Sequence, residues 1–170
     1  MRQQVPDARL VLAGAVSSDV DLRALLGKAK QVGGVDARPG YVGADEVQDL
    51  LAEARVVVTP YLRASQSGVA HLAYTFRRPV VATDMGDVSS VVRDRQTGLL
   101  VSPGRPGELA DAIVTLLNAP ALARQLGDAG HNLLVETSSW DRVAQCVNKS
   151  LNQVLPPTGV LASPPKRVDP

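Results

Sequence analysis

Short apolar runs alternate along this chain with longer stretches in which apolar residues return every third or fourth position. Ala8–Val16 reads as a strand that ends at a glycine, and Val35–Val42 as a weaker one broken at Pro39-Gly40. Arg55–Thr59 and Val80–Thr83 are β-branched and almost wholly apolar, the pattern of strands buried on both faces. Leu99–Val101 is a last short strand, closed by Pro103-Gly104. Between these runs the period changes to that of a helix. Leu22, Leu25, Leu26 and Ala29 give one helix its buried face, with Ser17 or Ser18 as cap and Gly33-Gly34 as stop. Val47, Leu50, Leu51 and Ala54 mark a second helix, which Asp45 can cap. A third runs from Val69 to Tyr74, and Val88–Arg93 is a short helix at most.

Beyond Gly104 the pattern is helical only. Gly107–Asn118 carries Leu109, Ala112, Ile113, Leu116 and Leu117 on one face, and Pro120 opens another helix through to Leu134. Trp140 begins a final helix bearing Val143, Ala144, Val147, Leu151 and Val154. Residues 156–170 hold five prolines and no apolar period, so a disordered tail is predicted there. Strands alternating with helices predict an α/β fold: a Rossmann-like parallel sheet with helices on both faces. Residues 1–155 make one domain of this kind. Ligands of such sheets sit at the carboxyl ends of the strands, here Gly14–Ser18, Gly40–Ala44 and Tyr61–Gly68.

Composition narrows the functional classes. Eighteen Lys and Arg against 17 Asp and Glu leave no net field to attract nucleic acid or an anionic membrane. No apolar run approaches the roughly 20 residues a spanning helix needs, and Met1–Asp7 has no apolar segment after its basic start, so no signal peptide is read. Cys146 is the one cysteine, consistent with a reducing cytoplasm. With two separated histidines it makes no zinc set, and Asp84-Met85-Gly86-Asp87 lacks the carboxylate density of a cation site. No metal or other cofactor is therefore expected.

The most informative stretch is Ser65-Gln66-Ser67-Gly68-Val69, a small polar turn between a buried strand and a helix. Such an entry brings backbone N–H groups close to an anion. It is neither a Walker loop nor a Gly-x-Gly-x-x-Gly turn. The same residues also suit an ordinary turn capped by Ser65 or Ser67. His71 reads as a packed or partly exposed helical histidine, and His131 as a surface residue. Asp84 and Asp87 fit a turn or a helix cap.

Several segments in order carry a family likeness: Leu10–Gly14, Gly40-Tyr41-Val42, Leu51–Tyr61, Ala64–Val69 with Leu72–Tyr74, Pro79–Asp84 with Gly86, Thr97–Gly104, and Ser139–Val143. Over about residues 6–155 the chain resembles the donor-binding, C-terminal half of GT-B-fold glycosyltransferases of group 1, family 4. The resemblance implies a retaining transfer of a hexosyl group from a nucleotide-diphosphate sugar. It implies that the backbone at Tyr41 and Val42 meets the nucleobase, and that the amides of Ser67, Gly68 and Val69, beside Ser65 and Gln66, hold the diphosphate. Gly14 and Gly40 would keep their loops small beside the donor.

Departures from the family pattern matter too. Two Glu residues common in relatives are Ala64 and Leu72 here, so neither contacts a ribose or sugar hydroxyl. A Gly-Gly-Leu-Pro-Glu stretch is Gly86-Asp87-Val88-Ser89-Ser90. Arg77 and Arg95 replace turn glycines, which costs roughly 1 kcal/mol wherever the backbone is left-handed. Relatives place an acceptor domain, and then a first donor-domain strand and helix with an Arg and a Lys, ahead of the part matched here. The resemblance thus implies that this chain alone binds donor but transfers nothing. It would act with an acceptor-domain chain or a membrane-associated subunit, and not with nucleic acid. The alternatives are a non-catalytic partner subunit or a degenerate fragment of such an enzyme.

Overall fold

The computed structural model describes residues 4–62, 68–138 and 140–154. Among the described residues, five strands and seven helices follow one another as β1 (Leu10–Gly14), α1 (Leu22–Val32), β2 (Val35–Pro39), α2 (Ala44–Glu53), β3 (Val57–Thr59), α3 (Gly68–Thr75), β4 (Val80–Thr83), α4 (Val88–Val91), β5 (Gly98–Val101), α5 (Pro106–Asn118), α6 (Pro120–Ser138) and α7 (Trp140–Val154). Every strand pair is parallel, as the buried β-branched runs require. The strands form two sheets, β1-β2 and β3-β4-β5. The predicted parallel α/β architecture is therefore present, with a division in the sheet that no sequence pattern announces.

β4 is the best-protected element. All four of its residues are buried, and alternation sends them to opposite faces. Val80 and Ala82 pack with Ala70, Ala73 and Tyr74 of α3 and with Leu51, Val88 and Val92. On the other face Val81 packs with Val101, Leu116, Ala123 and Leu126, which belong to β5, α5 and α6. Helices thus cover both faces of the three-stranded sheet, as predicted.

The first βαβ unit differs. The apolar stripe of α1 exists, but no α1 residue is buried; Leu25 and Leu26 remain 37% and 39% exposed. The expectation that Leu22, Leu25, Leu26 and Ala29 form a buried face is corrected accordingly. The reason lies in β1, which has a strand on one side only, so α1 rests on two strands.

Two caps also differ from expectation. Asp21, not Ser17 or Ser18, caps α1, its carboxylate accepting the Ala24 N–H at 3.0 Å. Ser17 is used instead in the turn before it, where its carbonyl accepts the Val20 N–H. α2 starts two residues earlier than read, with Gly43 at the cap and Asp45 inside the first turn beside Glu46. Both carboxylates still favour the positive helix end.

The C-terminal end of α3 is a Schellman motif. Arg78 N–H reaches the Ala73 carbonyl and Arg77 N–H the Tyr74 carbonyl, with Arg77 left-handed at φ +54°. Pro79 then starts the next strand's approach. The chain divides into two compact units, Met1–Leu134 and Val135–Pro170. Within the second, α7 carries Val143, Val147 and Leu151 at one-turn spacing, each about half exposed. The predicted tail at 156–170 lies outside the described residues.

Candidate functional site

Two loops meet at the carboxyl end of the β1-β2 sheet. Gly40 N–H donates to the Gly14 carbonyl at 2.9 Å, locking the turn after β2 to the end of β1. Gly14 has φ +143° and Gly40 φ +132°, a backbone only glycine adopts without strain. A side chain at either position would meet nothing within 4 Å, so open space lies in front of both. Tyr41 follows, 93% exposed, and then Val42, half-buried.

A second group stands at the carboxyl end of the β3-β4-β5 sheet. Gly68 and Val69 open α3, both exposed, with space in front of Gly68. The stretch from Arg63 to Ser67 lies outside the described residues, so Ser65, Gln66 and Ser67, predicted as site residues, receive no placement. The loop that leads to them is held by Thr83. Its hydroxyl donates to the Tyr61 carbonyl at 2.6 Å and lies 3.5 Å from that of Thr59. Thr59 itself is 2% exposed, and its hydroxyl has no hydrogen-bond partner among the described residues.

Sequence reasoning missed the Thr83 clamp. At the end of a β-branched run, Thr83 looks like one more strand former. A hydroxyl at the carboxyl end of an otherwise apolar strand was the available signal. No hydrogen bond among the described residues joins the Gly14–Gly40 group to the Thr83–Gly68 group.

The electrostatics at this end are mildly acidic. Asp19, beyond β1, is held below the usual carboxylate range by the Ser17 hydroxyl and then by its own backbone N–H. Asp84 follows β4, its N–H donating to the Val101 carbonyl at 2.8 Å. Asp87 occupies the cap position of α4 without a side-chain bond to the helix. The described loops after β1, β2, β3 and β4 contain no Lys or Arg. No group of three His, Cys, Asp or Glu gathers to hold a metal among the described residues. The two histidines lie elsewhere. His71 is inside α3, and His131, read as a surface residue, is half-buried with Nδ1 3.1 Å from the Tyr74 carbonyl oxygen.

Parallel strands, helices on both faces and small loops at the strand carboxyl ends define a Rossmann-like α/β domain, a class whose ligands sit at those strand ends. Comparison with known proteins makes the assignment specific. A family model described as Glycosyl transferases group 1 matches residues 1–119, and the chain belongs to that family. It is 34% identical over 140 residues to the D-inositol 3-phosphate glycosyltransferase of Arthrobacter sp., covering 81% of this chain and 33% of that protein. Its fold matches sucrose-phosphate synthase from Thermosynechococcus elongatus with a TM-score of 0.76 and 26% identity, over 89% of this chain and 39% of the synthase. It also matches Anabaena HepE, crystallised with UDP-glucose, with a TM-score of 0.71 and 17% identity, over 89% of this chain and 51% of that one. The chain spans about a third of the length of the curated relatives it matches.

Proposed function

We propose that this chain is the donor-binding part of a retaining glycosyltransferase, taking a nucleotide-diphosphate sugar at the carboxyl ends of its strands. The observation that carries the reading is the Gly40-to-Gly14 hydrogen bond, which sets two side-chain-free loops side by side over open space. A base lying there would meet the backbone of Tyr41 and Val42. The diphosphate would lie on the amides of Ser67, Gly68 and Val69, beside Ser65 and Gln66, at the positive end of α3. Family membership and the UDP-glucose bound by a protein of the same fold support this chemistry. The reading needs no metal, because backbone dipoles meet the diphosphate charge. It places the protein in the cytoplasm, supported by a free, exposed Cys146.

Donor binding and sugar transfer separate in this account. Breaking the bond to a diphosphate leaving group needs positive charge where the negative charge develops. The described loops at the ends of β1 to β4 supply none, and Ala64 and Leu72 offer no carboxylate to the sugar or ribose. The chain by itself is therefore a binder, and transfer requires an acceptor-binding domain. Titration calorimetry with UDP-, GDP- and ADP-sugars tests the reading. Saturable 1:1 binding of at least one is the result it requires. A folded chain that binds none of them sinks it.

One observation favours a second role beside the first, that of a subunit. Val143, Val147 and Leu151 leave an apolar stripe of α7 exposed. Light scattering that finds only a monomer, with no association on adding an acceptor-domain chain, would count against it.

A further inference from the structure

The connection between β3 and α3 is pinned to one strand, β4, at both of its ends. At its far end Gly68 and Val69 open α3, and the next residue, Ala70, is fully buried in the cluster that holds Val80 and Ala82. At its near end β3 stops at Thr59, which pairs with Ala82. The Thr83 hydroxyl then donates to the Tyr61 carbonyl at 2.6 Å, so a side chain supplies one more rung after the backbone ladder has ended. Among the described residues, the Tyr61 carbonyl has no other donor.

The strand that carries both pins is well held. All four residues of β4 are buried, with β3 on one side and β5 on the other. Just past its end, Asp84 N–H donates to the Val101 carbonyl at 2.8 Å, which ties the same corner to β5. Among the described residues the buried polar side chains are Thr59, Thr83 and Thr97. Thr97 accepts from the Tyr74 hydroxyl and from Arg93 N–H, ahead of β5 and so at the amino end of the sheet. The Thr59 hydroxyl bonds to nothing among those residues. Thr83 is therefore the one whose hydroxyl holds a loop at the carboxyl end.

We propose that Thr83 is a positioning residue for the diphosphate. By fixing the Tyr61 carbonyl it sets where the chain leaves the sheet on its way to the Gly68 and Val69 amides. This role rests on the donor-binding reading above and adds to it a residue that touches no ligand. Amides held in place beforehand bind an anion better, because no ordering cost is left for the binding step. The position requires a hydroxyl. Valine has the shape of threonine but no donor, and leaves the carbonyl without its partner. Serine keeps the donor and loses only the β-branch that stiffens χ1.

Titration with a nucleoside monophosphate and the matching diphosphate tests this, using whichever of UDP, GDP and ADP the parent chain binds. The ratio of the two dissociation constants reads the second phosphate and cancels the base. Thr83→Val should cut that ratio by about fivefold, the weight of one hydrogen bond, and Thr83→Ser should restore most of it. Asp94→Ala removes the acceptor of Leu100 N–H on the outer edge of β5 and should leave the ratio unchanged. Without nucleotide, the Leu62, Gly68 and Val69 amide resonances should move in Thr83→Val and return in Thr83→Ser, with Gly14 and Gly40 unmoved. A Val variant with the parent's ratio, a ratio lost equally in Asp94→Ala, or ligand-free Gly68 and Val69 resonances that stay in place overturns the role. A parent chain that binds no nucleoside diphosphate removes the donor reading and this role with it, whereas unmoved ligand-free resonances remove the role alone. Should Thr83→Val not fold, Thr83→Cys, with its weak S–H donor, takes its place and should show a smaller loss in the same direction.

Discussion

Arg95 holds a backbone φ of +57° while its side chain is 86% exposed and lies 3.7 Å from Asp94. Arg77, at φ +54°, is in the same backbone region, but its guanidinium pairs with Asp128 at 3.1 Å. Each position favours glycine by about 1 kcal/mol, because the Cβ of any other residue crowds the following carbonyl. Arg95→Gly should therefore stabilise the protein by about 1 kcal/mol in urea unfolding. Arg77→Gly should gain less, since an exposed ion pair worth 0 to about 1 kcal/mol goes with it. An Arg95→Gly variant no more stable than the parent contradicts the strain. Tyr74 is the other residue with a legible energetic role. It is buried, its hydroxyl donates to Thr97 Oγ1 at 2.9 Å, and burial pushes its phenol up to about 12 despite that bond. A raised folded-state value means that the contribution is complete below about pH 10, where unfolded tyrosine begins to ionise, and is lost as pH climbs toward 12. Stability should fall more steeply with pH above 10 in the parent than in Tyr74→Phe. At pH 7 that variant should be about 1 kcal/mol weaker. Parallel pH profiles for the two proteins would contradict this.

At the scale of elements, the helix ends show what the sequence could and could not decide. Ser17, Ser18, Asp19 and Asp21 are all good cap residues, and only the turn closed by Val20 N–H selects Asp21. Asp21→Ala should cost about 1 kcal/mol of stability, while Ser18→Ala should cost little. The turn between α3 and β4 was far more legible, because Pro79 and the Val-Val-Ala-Thr run fix its far side. Sequence did not reveal its tight contact with α6. A Cβ on Gly127 would strike the Arg77 carbonyl, so that helix lies directly against the turn. Gly127→Ala should destabilise by about 1–3 kcal/mol although it raises helix propensity, and a stabilising effect would refute the contact. β1, β2 and α1 were legible as elements but not as packing. The stripe Leu22, Leu25, Leu26 and Ala29 says that a face is apolar, and not whether anything covers it.

At the scale of the molecule, alternation of strand and helix was enough for the fold class, and a handful of short segments in order was enough for the family. The site was legible only in part. Gly14 and Gly40 announced themselves by residue type, since each turn has a positive φ that a side chain strains. The Thr83 clamp on Tyr61 did not, being a long-range contact between the end of one strand and the loop after another. The break between the β1-β2 and β3-β4-β5 sheets is likewise a pairing fact, which no local pattern encodes. It also explains why the two halves of the candidate site are structurally separate among the described residues.

One donor lying across both halves would perturb both groups of amides together, which amide chemical-shift mapping reads out. UDP-sugar, or whichever donor calorimetry selects, is titrated into isotope-labelled protein. The largest shifts should fall on Gly14, Gly40, Tyr41 and Val42 and on Ser67, Gly68 and Val69, saturating together with one affinity. Shifts confined to one group, or centred elsewhere such as on the outer edge of β5, would contradict it.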